Sequence, residues 1–215
     1  MFIKKIYSKD DYKLNYLIDY PEDFSEDKKY PIIFFFHGMG SARRGIDFLE
    51  KNCPVRREHI PKETPFIIVA PSCDDYMWFE NTQNVICFLR ECMEWSFVDK
   101  ESVYLTGASM GGYFSWTISA LHPEFFAAAV ICCGAGPYFA AGRIKFPVKV
   151  VAGALDTTVL PRESEVMAER INAAGGCAEF ILYEDLGHNV WARIYGDEKT
   201  YKWLITNKKA KPIKA

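Results

Sequence analysis

Short runs of apolar residues punctuate the chain at intervals, and most are continuous rather than alternating. Pro31–His37, Pro65–Ala70, Ser102–Thr106, Ala127–Cys132, Val148–Ala152 and Ala178–Tyr183 are such runs. Unbroken apolarity over so short a span predicts strands covered on both faces, as in a parallel sheet. Two earlier stretches, Phe2–Tyr7 and Lys13–Asp19, alternate more and predict an antiparallel edge. Helices are predicted between the runs, over Asp47–Asn52, Asn84–Phe97, Met110–Leu121, Arg162–Ala174 and Asp197–Ile205. Strands alternating with helices predict crossover units and a doubly wound α/β sheet. No internal repeat and no linker rich in Gly, Pro or Ser interrupts the pattern. Residues 1–206 are therefore expected to form one domain, and residues 207–215, with Lys208, Lys209, Lys211 and Lys214, a solvated Lys-rich tail.

Composition narrows the function classes. The chain has 215 residues, 49% hydrophobic, 25% charged and 15% aromatic. That is enough to close a core without disulfides or a structural metal, and it excludes a disordered or fibrous chain. With 26 Lys and Arg against 28 Asp and Glu the formal net charge is −2, so neither nucleic acid nor an anionic membrane is expected as a partner. The amino terminus breaks into charge at Lys4-Lys5 instead of continuing as a signal-peptide core, and no run approaches the ~18 apolar residues of a membrane-spanning helix. The seven cysteines are odd in number and scattered, with no C-x-x-C pair and no histidine at zinc spacing. Buried free thiols in a reducing, cytoplasmic compartment are expected.

The sharpest local signal is Val103-Tyr104-Leu105-Thr106-Gly107-Ala108-Ser109-Met110-Gly111-Gly112, a strand, G-x-S-x-G and then a helix. A serine on so tight a strand-to-helix turn is forced towards a strained backbone, and its neighbours must lack bulk. Gly107 and Gly111 meet that need and leave the Ser109 hydroxyl exposed at the sheet edge. The Met110 N–H then sits at a helix amino terminus, where developing negative charge is favoured. The spacing is not G-x-G-x-x-G and no lysine follows, so a phosphate-cradling loop is disfavoured. An ordinary serine N-cap is the plain alternative.

A serine hydroxyl needs a base. Among the four histidines, His59 and His122 are read as surface residues, and His37, ending a buried run before Gly38-Met39-Gly40, as a residue that orders that loop. His188 follows the last strand candidate in Gly187-His188-Asn189-Val190-Trp191, at the carboxyl edge where α/β sheets place their sites. Asp156 lies at the carboxyl end of the preceding strand candidate, past Gly153, and gives the chain order Ser109, Asp156, His188. Glu184 and Asp185 are rival acids, close enough in sequence to His188 to support its own loop instead. The second amide of an oxyanion hole is expected from Met39, with Gly38 as the alternative, so that the Met39 and Met110 N–H groups form the pair.

These segments, with Val69-Ala70-Pro71 and His122-Pro123-Glu124-Phe125-Phe126, resemble the serine esterases of the α/β-hydrolase superfamily. The resemblance runs from about Pro31 to Ile205 and points to the carboxylesterase, phospholipase/thioesterase-like and polyhydroxybutyrate-depolymerase- or feruloyl-esterase-like branch. It implies an α/β-hydrolase fold, catalysis by Ser109, Asp156 and His188, a small-molecule ester as substrate, and no metal or organic cofactor. A peptidase or thioesterase on the same machinery, or a non-catalytic binding protein of this fold, is the alternative. Some relatives in the dienelactone branch carry cysteine as nucleophile, whereas the elbow here carries Ser109. Cys133–Phe146 is too short for a cap domain, so no sizeable lid is expected and the site should be open. Trp78 and Trp191 are candidate walls of a substrate pocket, with Phe79, Tyr138 and Phe139 behind them, and Arg43 or Arg44 a candidate grip for a substrate carboxylate.

Overall fold

A computed structural model describes residues 1–209 of the chain. Eight strands, β1 (Ile3–Lys9), β2 (Tyr12–Asp19), β3 (Tyr30–Phe36), β4 (Ile67–Pro71), β5 (Val98–Ala108), β6 (Ala128–Cys132), β7 (Val148–Gly153) and β8 (Ala178–Tyr183), form one sheet in the order β1-β2-β4-β3-β5-β6-β7-β8. The pairs from β4 through β8 are parallel, whereas β1–β2 and β2–β4 are antiparallel. This is the doubly wound, mostly parallel sheet with an antiparallel amino-terminal edge that the apolar pattern predicts.

The unbroken apolarity of the central strands follows from two covered faces. Ile32, Phe34 and Phe36 of β3 pack into one core, and Ile33 and Phe35 into the other. The first core is roofed by α2 (Thr82–Glu94), α3 (Met110–Leu121) and α4 (Pro161–Ala173), through Phe88, Phe114, Trp116 and Met167. The second is roofed by α1 (Ile46–Asn52), α5 (Trp191–Gly196) and α6 (Glu198–Thr206), through Leu49, Tyr195, Tyr201 and Leu204. Alternate side chains of one strand thus feed opposite cores, which a helix-on-both-faces sheet requires.

Two boundaries differ from the sequence pattern by three or more residues, and one helix is additional to it. Helix α2 ends at Glu94 rather than Phe97, and β5 begins at Val98 rather than Ser102. The Phe97 carbonyl accepts from the Tyr30 N–H, and a register shift between Tyr30 and Ile32 lets Val98 pair early. Asp99-Lys100-Glu101 therefore extend the strand beyond the covered part of the sheet, where polar side chains remain solvated. Helix α5 was not anticipated. It is only six residues long, so its period is too short to read.

Between β6 and β7 the chain makes a single 3-10 turn, Tyr138–Arg143, and no cap domain. Asn207 and Lys209 stay attached to β5: the Asn207 carbonyl accepts from the Tyr104 hydroxyl, and the Lys209 N–H donates to the Glu101 carbonyl. The rest of the Lys-rich tail, residues 210–215, lies outside the described residues. Among the described residues no helix is long and apolar enough to cross a membrane. All seven cysteines are unpaired, five of them buried.

The contact between β3 and α3 is the tightest in the sheet's centre. A Cβ placed on Gly111 would lie 1.9 Å from the Phe36 carbonyl oxygen, which is backbone and cannot yield. Gly111→Ala is expected to cost more than about 3 kcal/mol of folding stability or to prevent folding. Urea unfolding followed by tryptophan fluorescence checks this, since a loss under 1 kcal/mol would mean that the helix can withdraw from the strand.

Candidate active site

Strand β5 ends at Ala108, and the chain turns into α3 at Ser109 with φ 54° and ψ −121°. A non-glycine residue there is strained by about 1–3 kcal/mol and stays only because its surroundings fix it. The Ser109 N–H donates to the Cys132 carbonyl at 2.9 Å and its own carbonyl accepts from the Tyr113 N–H at 3.0 Å. These bonds tie the turn to β6 on one side and to α3 on the other. Residues 102–108 are buried whereas Ser109 is half-exposed, so the hydroxyl stands at the carboxyl edge of the sheet.

Two further strand ends bring side chains to this hydroxyl. His188, in the loop after β8, has its Nε2 at 2.9 Å from Ser109 Oγ. Its Nδ1 is 2.7 Å from Oδ2 of Asp156, which follows β7. The other carboxylate oxygen of Asp156 accepts from the N–H groups of Thr158 at 2.8 Å and Val159 at 3.0 Å. Burial alone would push the Asp156 carboxyl up, but the His188 bond and these two amides outweigh it and hold the group below the usual carboxylate range. An ionised Asp156 makes Nδ1 of His188 the donor, so Nε2 carries the lone pair and faces the Ser109 O–H. The acid and base loops are themselves pressed together at Gly153, where a Cβ would meet the Gly187 carbonyl oxygen at 2.2 Å.

The rival acids are engaged elsewhere. Asp185 forms a two-pronged ion pair with Arg193, at 2.8 and 2.7 Å, which pulls its carboxyl down to about 2. Glu184 is exposed and makes no bond to His188. On the opposite side of Ser109, Gly38 is extended (φ −78°, ψ 175°) and Met39 opens a 3-10 turn, Met39–Ser41. Among the described residues the N–H groups of Met39 and Met110 have no acceptor.

His37 orders this loop, as its position predicts. Its ring is buried and its Nε2 accepts from the Cys73 N–H at 2.9 Å; Nδ1 lies 2.9 Å from the Gly38 carbonyl. Burial pushes its pKa down to about 4, so the ring is neutral. Trp78 belongs with it and is a correction to the expected pocket wall. The loop after β4 folds back as a 3-10 turn, Trp78–Asn81, and drops the indole between β3 and α3. Trp78 is 2% exposed, donates from Nε1 to the His37 carbonyl and stacks on Phe114. Trp191 does stand at the site, edge-on to His188 with ring centroids 5.3 Å apart. It lines a cavity of about 350 Å³ together with Gly38–Ser41, Ser109, Thr158 and His188. Phe79, Tyr138, Phe139, Arg43 and Arg44 do not line it. Arg44 instead lies 3.5 Å over the ring of Phe48.

One neighbour was missed in the sequence. Cys133, directly after β6, is fully buried at φ 46° and donates its thiol to the His188 carbonyl at 3.3 Å. Its sulfur, an Asp156 oxygen and a His188 nitrogen lie within 4.8 Å of one another. Soft and hard donors so arranged suit a metal such as zinc in principle, but the Asp156 oxygens and His188 Nδ1 are already joined, and burial pushes the thiol well above its usual range. The donor set is occupied by the relay. The Cys132-Cys133 doublet was the available signal, and it reads as packing until β6 is seen to end beside the acid and base.

A family model for the dienelactone hydrolases matches residues 80–203, a span that includes Ser109, Asp156 and His188. The chain belongs to the dienelactone hydrolase family. Comparison with curated protein sequences gives no match. Among solved structures, a thermostable esterase is similar over 97% of this chain with 26% identity and a TM-score of 0.87; this chain spans 63% of the esterase's length. Est1E from Butyrivibrio proteoclasticus (14% identity, TM-score 0.75, 94% of this chain and 98% of that one) shares the fold. So does the acylaminoacyl peptidase of Pyrococcus horikoshii (15% identity, TM-score 0.72, 100% of this chain and 43% of that one). The α/β-hydrolase architecture of this family member is therefore the expected one.

The buried neutral His37 has a consequence for stability. Its folded pKa lies below the unfolded value of 6.5, so the unfolded chain takes up a proton first as pH falls. Stability contributed by the neutral ring is present above pH 6.5 and is lost between there and about 4, by about 3 kcal/mol at 1.36 kcal/mol per pKa unit. Comparing wild type with His37→Gln by chemical denaturation at pH 7, 5.5 and 4.5 tests this: the gap between the two should narrow steadily towards acid, and a constant gap refutes it.

Proposed function

We propose that this family member hydrolyses carboxylic esters through a Ser109–His188–Asp156 triad and a covalent acyl-enzyme. The observation that carries the reading is the unbroken bonded chain from hydroxyl to imidazole to buried carboxylate, at 2.9 and 2.7 Å, beside two N–H groups without acceptors in an accessible cavity. Ser109 Oγ attacks the ester carbonyl carbon while Nε2 of His188 takes the hydroxyl proton. The tetrahedral oxyanion lies against the amides of Met39 and Met110. Collapse of that intermediate breaks the ester bond, and His188 returns the proton to the departing alcohol. Water, deprotonated by His188, then attacks the acyl-enzyme and frees the acid. Asp156 holds the tautomer that makes Nε2 the acceptor and stabilises the imidazolium that forms.

Ester rather than amide or thioester chemistry is supported by the likeness to the thermostable esterase. A cavity near the small end of the range for small-molecule sites, with no cap domain above it, favours a short-chain or aryl acyl group. Est1E has been seen with ferulic acid bound, which fits the same class. Seven unpaired thiols support a reducing, cytoplasmic setting.

With p-nitrophenyl butyrate as reporter, Ser109→Ala is expected to abolish turnover and labelling by a fluorophosphonate, and wild-type activity in that variant overturns the proposal. Asp156→Asn should lower kcat by about 10⁴-fold, by analogy with serine proteases. Met39→Pro deletes one oxyanion donor at a position whose extended predecessor and helical start accept proline, so kcat should fall about 10²- to 10³-fold with KM little changed. Steady-state kinetics of the three variants decide the roles separately.

A further inference from the structure

The cavity beside Ser109 is notable for the chemistry of its wall. Phe35, Met39, Pro54, Ala108 and Trp191 supply apolar surface, and Ser41, Asn52 and Thr158 supply uncharged polar groups. No lysine, arginine, aspartate or glutamate is among its lining residues. Of its two histidines, His37 has its ring nitrogens engaged by main-chain groups and is neutral at physiological pH. His188 must be neutral to act as base. The two arginines on the adjoining loop do not reach the cavity: Arg44 is stacked on Phe48, and neither it nor Arg43 is part of the wall. The Asp156 carboxylate, bonded to His188 from behind, adds a negative charge and no positive one.

A substrate carboxylate in this space would therefore meet only hydroxyls and one side-chain amide. The two free backbone N–H groups are needed by the reacting carbonyl. Removing a carboxylate from water without a cationic partner is costly, whereas an alkyl or hydroxyl group suffers no such penalty. Asn52 Nδ2 already donates one of its two N–H groups to the Phe48 carbonyl at 2.8 Å, which leaves one uncharged N–H and the carbonyl oxygen to a ligand and no positive charge to balance an anion.

We infer that this cavity selects uncharged esters, and that Asn52, Ser41 and Thr158 set the selection by supplying polarity without charge. The inference rests on the ester-hydrolase reading and specifies its substrate class. In a chain whose family model is named for the hydrolysis of a lactone, it divides candidate substrates by charge rather than by ring or chain.

The test compares p-nitrophenyl hexanoate with the p-nitrophenyl monoester of adipic acid, which have acyl chains of equal length and differ by a terminal carboxylate. Wild-type kcat/KM should favour hexanoate by about 100-fold, and the ratio should persist in 0.5 M NaCl, because a cavity wall is screened far less than a surface field. Asn52→Arg should move the ratio at least tenfold towards the adipate monoester. A wild-type ratio within threefold of unity, a ratio that collapses in salt, or one that Asn52→Arg leaves unmoved overturns the inference. Ser109→Ala separates the two levels: if it abolishes turnover of both esters, the serine chemistry stands whichever way the ratio falls, and if it does not, the underlying reading fails first.

Discussion

Everything at the carboxyl edge of the sheet is referred to one backbone constraint, the left-handed turn at Ser109. A helix must begin immediately after a central strand, and the turn that allows this is unfavourable for any residue with a side chain. The fold holds it from three directions. The Ser109 N–H is bonded to β6, the Gly111 backbone lies against the carbonyl of Phe36 on β3, and α3 continues beyond under Phe114 and Trp116. Relaxing any of these would let the turn revert towards ordinary dihedrals and swing the hydroxyl away from His188. The strain is thus supported by the same parallel pairing of β3, β5 and β6 that buries most of the apolar core.

That dependence explains why some of the site was legible from residues alone. The elbow is local: its glycines, its strand and its helix lie within Val98–Leu121, and sterics dictate their order. Asp156 and His188 are not local, but they could be located because topology brings the ends of successive parallel strands to one edge. Asp185 competes by sequence position alone, whereas Arg193, in the first turn of α5, holds it away from His188. Helix α5 itself is too short to announce its period, so that pairing could not be foreseen.

The misplaced tryptophan has a different cause. An aromatic side chain in a loop carries the same signal whether it faces a ligand or turns inward, and hydrophobicity cannot distinguish the two. Trp78 turns inward because the His37 carbonyl, left at the end of β3, needs a donor, and the indole N–H supplies it. The early start of β5 is a similar case. Asp99-Lys100-Glu101 reads as a break because polarity usually marks a loop, yet a strand projecting past its covering helices has no need of apolar side chains. Cys133 was invisible for the opposite reason, since a buried cysteine resembles any other small apolar residue until its neighbours are known.

The two histidines flanking Ser109 show how environment, rather than residue type, assigns chemistry. His37 and His188 both border the cavity, and both engage two partners through their ring nitrogens. The partners differ. His37 is bracketed by main-chain amide groups and enclosed by protein, so the cost of burying a charge outweighs the attraction of the Asp74 carboxylate, and the ring serves as a strut for the loop that carries Met39. His188 has a buried carboxylate at one nitrogen and a hydroxyl at the other, with about a quarter of its side chain reaching solvent. Only there does a proton on the second nitrogen have an anion waiting for it. Exchanging the two rings in thought makes the point sharply: an imidazole in the first setting has no means of stabilising the imidazolium that base catalysis creates, and one in the second would gain nothing from being made rigid by backbone bonds alone. The carboxylate therefore distinguishes the ring we propose as base from the structural one, and the loop pressed against it at Gly153 is what keeps that distinction in place.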